Sequence, residues 1–278
     1  MAGVTVLLGV AHGSKTPASQ EVVEALMARV AELRPGLRTV PAYVDNASPS
    51  IARALRELVA QGVDDVVVLP LLLSPASHSK TDVAASVQAG RIAHPGLRLR
   101  YGRPLGPHPV LVDVLARRLA EAGVTDGPVV LAAGGSLDPD ANAQVAATAR
   151  LLWEGRGFAS VDIAFASTTG PTVAEAVTRL RDLGATRVAL ARYFLGPGYL
   201  PRLVETQARS VDGVEIVASA PLGASDGLAG LLAGRYDEVL GGDTRMNCDA
   251  CVYRIAMPGR EQVVGAPQLP HSHPDDEV

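Results

Sequence analysis

The sequence predicts an α/β fold: two similar domains, each a small parallel sheet flanked by helices, followed by an irregular tail. Three observations predict it. Short apolar runs alternate with amphipathic segments along the chain. The runs are continuously apolar rather than alternating, as strands of a parallel sheet covered on both faces are. The whole pattern then recurs at a nearly constant spacing.

The elements follow in order. The run 5–11 precedes a helical stretch at 17–35, and 37–45 precedes 48–62. The run 64–73 precedes 81–96, and 97–106 precedes 108–123. The second half opens with "PVVLAAGGS" at 128–136 and continues through strands at 161–168, 187–195 and 215–223. Gly62 and Gly184, Leu73 and Leu195, Pro75 and Pro197, Pro49 and Pro171, and Ser14 and Ser136 are each 122 residues apart. The "PLG" of 104–106 returns at 221–223. Such a period means duplicated domains rather than a solenoid. The expected division is 1–123, 124–240 and a tail at 241–278, with the boundary in "GVTDG" at 123–127.

Composition narrows the function. The 278 residues are 47% hydrophobic and 19% charged, with a net charge of −4. That balance gives no reason to expect nucleic acid or an anionic membrane surface. Mean hydropathy is +0.19, yet no run is long enough to cross a membrane. The first residues lack the basic start of a signal peptide, so a cytoplasmic location is expected. Two cysteines do not make a disulfide framework. Lys15 and Lys80 are the only lysines among 25 basic residues. Both lie just past a histidine at the end of an apolar run.

The duplication allows a comparison within the chain. His12 corresponds to Gly134, Asp45 to Ser167 and His78 to Leu200. The first half holds metal- or proton-capable groups where the second has lost them. Ligands of open parallel sheets bind beyond the carboxyl ends of the strands, and His12, Asp45 and His78 all project from that edge. Two imidazoles and a carboxylate suit Fe²⁺, Co²⁺, Ni²⁺ or Zn²⁺. His94 and His108, beside prolines or helix ends, are expected to be structural.

The "AHGS" strand end, "AYVDNASPSI" and "PLLLSPASHSKTD", in this order and with a degenerate second copy, resemble the class II chelatases acting on sirohydrochlorin, in their long two-domain form. The resemblance covers residues 4–240 and implies a chelatase-like, Rossmann-like fold. It implies a catalytic metal site of His12, His78 and Asp45, where many members carry glutamate rather than aspartate. It also implies insertion of a divalent metal into sirohydrochlorin with release of two protons, for cobalamin or sirohaem biosynthesis. Ser14, Lys15, Ser79, Lys80, Arg103 and Arg202 are then expected to meet the macrocycle's carboxylates. Asp45 is the expected proton acceptor.

The tail's "MNCDACVYRIAMPG" and its terminal His271 and His273 resemble the extension of cobalt-inserting members. There the M-x-C-x-x-C motif, here Met246, Cys248 and Cys251, is linked to an iron–sulfur cluster. Such a cluster takes about four thiolates, so it would need a second subunit, and hence a homodimer, other ligands or a two-iron form. His271 and His273 themselves are expected in a solvated tail. The tail tilts the expectation to Co²⁺, with a ferrochelatase making sirohaem as the alternative. A carrier or sensor of metal or tetrapyrrole is the alternative of another class. No G-x-x-x-x-G-K-[ST] motif is present, and a phosphate-binding module fits "HGSK" poorly.

Overall fold

The computed structural model describes residues 5–243, 251, 253–254, 256, 259, 261–267 and 269–277. Its first half contains β1 (Val6–Ala11), α1 (Pro17–Leu33), β2 (Arg38–Tyr43), α2 (Ile51–Ala60), β3 (Asp65–Pro70), α3 (Ser77–Lys80), α4 (Asp82–Ala93), β4 (Arg98–Tyr101) and α5 (Pro109–Glu121). The second contains β5 (Pro128–Ala133), α6 (Pro139–Trp153), β6 (Ser160–Phe165), α7 (Val173–Asp182), β7 (Arg187–Arg192), α8 (Tyr199–Arg209), β8 (Glu215–Ala218) and α9 (Asp226–Leu240). Two four-stranded parallel sheets result, ordered β2-β1-β3-β4 and β6-β5-β7-β8. No described helix is long and apolar enough to cross a membrane.

Covered faces explain the apolar strands. Val6, Leu8 and Val10 of β1 pack with Ile51, Leu55 and Leu58 of α2 and Val83 and Val87 of α4. On the other face Gly9 admits α1: a Cβ there would lie 2.4 Å from Met27 Sδ. Helix α2 buries Ile51, Ala54, Leu55 and Leu58, one stripe of a 3.6-residue period. Helix α7 buries the residues 122 positions on, Val173, Ala176, Val177 and Leu180. Their caps correspond too. Ser50 Oγ accepts from the Arg53 N–H, and Thr172 forms a capping box with Glu175.

The compact units and the duplicated halves divide the chain differently. One unit comprises residues 1–105 and 228–278, the other 106–227. Helix α5 packs on α6 and β7, and Arg118 donates to Leu222 O. Helix α9 belongs with the first sheet: Arg103 binds Glu238, and Arg34 pairs with Asp237. Each half thus contributes its last helix to the other unit, whereas the sequence reading placed 108–123 with the first half and 226–240 with the second.

Candidate metal and tetrapyrrole site

The order β2-β1-β3-β4 puts the topological switch point beside β1. Chain direction reverses its lateral progress there, so the loops after β1, β2 and β3 diverge and leave a crevice. His12 directly follows β1. The parallel pairing runs past the strand ends, with Val44 N–H donating to Ala11 O and Asp45 N–H to His12 O at 2.9 Å. That pairing draws Asp45 alongside His12. Gly13 makes the approach feasible: its φ is +98°, and a Cβ would lie 1.6 Å from Asp45 O. Gly135 repeats the arrangement against Ser167 O, with φ +87°.

On the other side of β1, the segment after β3 ends in the single-turn α3 that carries His78. The His12 and His78 rings meet edge to face, with centroids 4.5 Å apart and an interplanar angle of 90°. Two imidazole nitrogens on one tetrahedral ion lie about 3.3 Å apart, within reach of rings this close after small rotations. In the second unit the corresponding positions also meet: Leu200 Cδ1 lies 3.5 Å from a Cβ placed on Gly134. The arrangement is kept there without the two imidazoles.

His12 keeps an exposed face, yet desolvation by the atoms packed around it pushes its pKa below the ordinary value, and repulsion by His78 lowers it further. A contact with Gly13 O and the charge of Asp45 oppose the shift without reversing it. A neutral imidazole, able to ligate a metal, is therefore favoured at neutral pH.

Asp45 stands near both His12 and the tail. Its Oδ1 accepts from Asn46 N–H at 2.7 Å and its Oδ2 from Asn46 Nδ2 at 2.6 Å. Among the described residues no group of three or more His, Cys, Asp or Glu is closed around a single point as a metal cage. The two histidines are together; the carboxylate is adjacent.

Two partners were not singled out from the sequence. Asp82, at the start of α4, holds His78 Nδ1 at 2.6 Å. A carboxylate behind a ligating histidine fixes its tautomer and leaves Nε2 free for metal. The i,i+4 spacing was the available signal. The other partner is the tail. His273 is 4% exposed, its Nε2 donating to Ala47 O at 2.9 Å. His271 Nε2 lies 3.7 Å from Asp45 Oδ2. His273 is folded onto the loop after β2, contrary to the expectation of a solvated tail, whereas His271 stays exposed.

The expected carboxylate binders divide. Lys15 is exposed beside the site, and Lys80 is half-buried on α3. Ser14 Oγ accepts from Thr16 N–H at 3.1 Å, closing the turn into α1. Ser79, expected among these binders, is 1% exposed and gives its hydroxyl to Ala76 O. Arg103 is gripped by Glu238 at 2.9 and 2.8 Å, which neutralises much of its charge. Arg202 is exposed on α8 of the second unit. His108 caps α5 by accepting from Val110 N–H. His94 ends α4 and lines a cavity of about 420 Å³ between α2, α4 and the tail.

Met246 and Cys248 lie outside the described residues. Cys251 is buried. A cluster that takes about four thiolates finds one of them among the described residues.

Comparison with known proteins agrees with the duplicated architecture. The CbiX family model matches the chain twice, over residues 6–122 and 128–239. The sirohydrochlorin cobaltochelatase of Priestia megaterium is 31% identical over 261 residues, 90% of this chain and 85% of that protein. The sirohydrochlorin ferrochelatase of the same organism is 28% identical over 241 residues, 84% of this chain and 90% of that protein. Among solved structures, SirB from Bacillus subtilis with Fe³⁺ shares the fold, with a TM-score of 0.75 at 24% identity, covering 87% of this chain and 99% of that one. With the family model matched across both halves and the two-sheet fold shared, the chain belongs to the CbiX family of class II chelatases, in its long two-domain form.

Proposed function

We propose that this chain is a sirohydrochlorin chelatase that inserts a divalent metal, Co²⁺ ahead of Fe²⁺, into the macrocycle and releases its two pyrrole protons. The observation that carries the reading is the His12–His78 pair, 4.5 Å apart at the switch point, in a fold whose second copy has Gly134 and Leu200 at those positions.

The residues divide the work. His12 and His78 hold the substrate ion through neutral nitrogens, His78 oriented by Asp82. Asp45, half-exposed and beside His12, accepts a pyrrole proton and passes it to solvent. Ser14, Lys15 and Lys80 offer donors and positive charge to the polycarboxylate. Ser79 and Arg103 are occupied within the protein. A nucleotide is not needed.

The choice of cobalt rests on the 31% identity to a cobaltochelatase and on the affinity order of divalent ions at nitrogen sites. A cytoplasmic location belongs to the same reading. An iron–sulfur cluster at Cys248 and Cys251, and a homodimer to complete it, would be additions to this chemistry rather than parts of it.

The test is anaerobic. Sirohydrochlorin with Co²⁺ or Fe²⁺ is followed by absorbance, with and without the protein. Acceleration over the no-protein control supports the chelatase, and the ratio of rates selects the metal. Binding of metal or macrocycle without acceleration supports a carrier instead.

A further inference from the structure

Helices α2 and α7 start from matching loops, yet the two starts are fastened differently. At α7, Thr172 and Glu175 satisfy each other. Thr172 N–H donates to Glu175 Oε2 at 2.7 Å, and Glu175 N–H to Thr172 Oγ1 at 3.3 Å. At α2, Ser50 keeps one half of this exchange, its Oγ accepting from Arg53 N–H at 3.1 Å. The residue 122 positions before Glu175 is Arg53, which has no carboxylate to return. The Ser50 N–H must then find its acceptor elsewhere.

The tail supplies it. Asp275 Oδ2 accepts from Ser50 N–H at 3.3 Å and from Ser48 Oγ at 2.7 Å, with Arg53 Nη1 3.8 Å from the same oxygen. Asp276 Oδ1 accepts from Ser50 Oγ at 2.6 Å. His273 aims these carboxylates: Nε2 donates to Ala47 O at 2.9 Å, and Nδ1 accepts from Asp275 N–H at 3.1 Å. Asp275, 225 positions from Ser50, thus takes the place that Glu175 holds locally at α7. The loop fastened in this way carries Asp45 at its other end. Asp45 N–H donates to His12 O and Tyr43 N–H to Pro49 O at 3.0 Å, so the loop leaves and rejoins the edge of β2. Between these points Asn46 has φ +57°, a backbone conformation uncommon outside glycine, which Thr168 repeats at +73°. The Asn46 N–H and side-chain amide hold both Asp45 oxygens. Release of the Ser50 end therefore loosens the residue that orients Asp45.

We propose that Asp275 is a positioning residue: it completes the capping box of α2 from the tail and so holds the Asp45 loop beside His12 for proton transfer during insertion. The fastening stands on the contacts alone. Its effect on insertion rests on the chelatase reading.

The test uses the full chain and two readouts: amide exchange by NMR with no metal or tetrapyrrole present, and steady-state insertion of Co²⁺ into sirohydrochlorin. D275A is expected to speed exchange at the Ser50 and Asp45 amides by at least about fivefold, as loss of a cap contact does. It should lower kcat by a similar factor with KM scarcely changed, because proton transfer and not binding is disturbed. R53E in the D275A background rebuilds the local box seen at α7 and should return both readouts to native. A tail that only added stability would not be replaced by one glutamate on α2. E175A opens the matching start in the second unit and should leave insertion native. Native-like exchange or kcat in D275A overturns the proposal, as does failure of R53E to restore them. Faster exchange cured by R53E, in a chain whose native form fails to accelerate insertion, leaves the fastening standing and removes the chelatase reading. Fast insertion by native and D275A chains alike, with unchanged exchange, keeps the chelatase and removes the role of Asp275.

Discussion

Removing the carboxylate of Asp82 isolates one link between geometry and metal affinity. His78 sits on a four-residue helical turn, and Asp82 Oδ2 at 2.6 Å is what fixes its ring. A hydrogen bond involving a charged partner contributes about 1.5–3 kcal/mol net. Loss of a carboxylate behind a ligating histidine usually costs about 10–100-fold in metal affinity, which corresponds to about 1.4–2.7 kcal/mol. The two ranges overlap. Solvent competes here, because the side chains are 36% and 18% exposed. The lower end, about tenfold, is therefore the expectation for D82A. Asp82 also opens α4, where its charge adds up to about 1 kcal/mol through the helix dipole. D82N keeps the shape while removing that charge. Co²⁺ titration calorimetry of native, D82N and D82A chains, with melting curves as control, measures the effect. Unchanged affinity in a folded D82A chain refutes the claim that Asp82 positions His78.

Three further outcomes follow from the same contacts. His12, followed by NMR, should titrate with a midpoint below 6.5, its unperturbed value; H78A removes a repelling neighbour and should raise the midpoint. G13A and G135A should each destabilise by at least about 1–2 kcal/mol through a left-handed backbone. G13A should also abolish insertion by displacing Asp45 from His12, whereas G135A should leave insertion intact below its melting temperature. Burial raises the Asp65 pKa, but hydrogen bonds from Arg100 and Thr5 outweigh it and leave the carboxyl below its ordinary value. That interaction contributes stability above the unfolded carboxylate's pKa and loses it as pH falls through the folded one. Acid unfolding of D65N should therefore show a shallower loss over that range than the native chain does.

The parts of this fold that were legible in the sequence are those set by local pattern. Apolar runs flanked by small residues became strands. The 122-residue period reappears in the structure as the matched stripes of α2 and α7 and as the paired turns at Gly13 and Gly135. The meeting of His12 and His78 was legible because parallel topology sends every strand's carboxyl end to one edge. Other features lie beyond local pattern. The amphipathy of α5 and α9 says that a face is buried, not which sheet receives it. Ser79 looks like a polar loop residue, and only the turn of α3 sends its hydroxyl to Ala76 O. The tail has no apolar periodicity to betray its docking, which depends on Asp275 and Asp276 meeting Ser48 and Ser50 over 220 positions away. Asp82 could have been found, because a carboxylate four residues after a histidine shares its helix face.

The central claim is that His12 and His78 act together on one ion during insertion. Single-turnover kinetics with Co²⁺ and sirohydrochlorin, comparing the native chain with H12A, H78A and the double variant, test it most directly. Groups that act as a unit are strongly non-additive. Either single substitution should bring the rate close to the no-protein control, and the double should be scarcely slower. Two single variants that both turn over at the native rate, with sirohydrochlorin still bound, would contradict it.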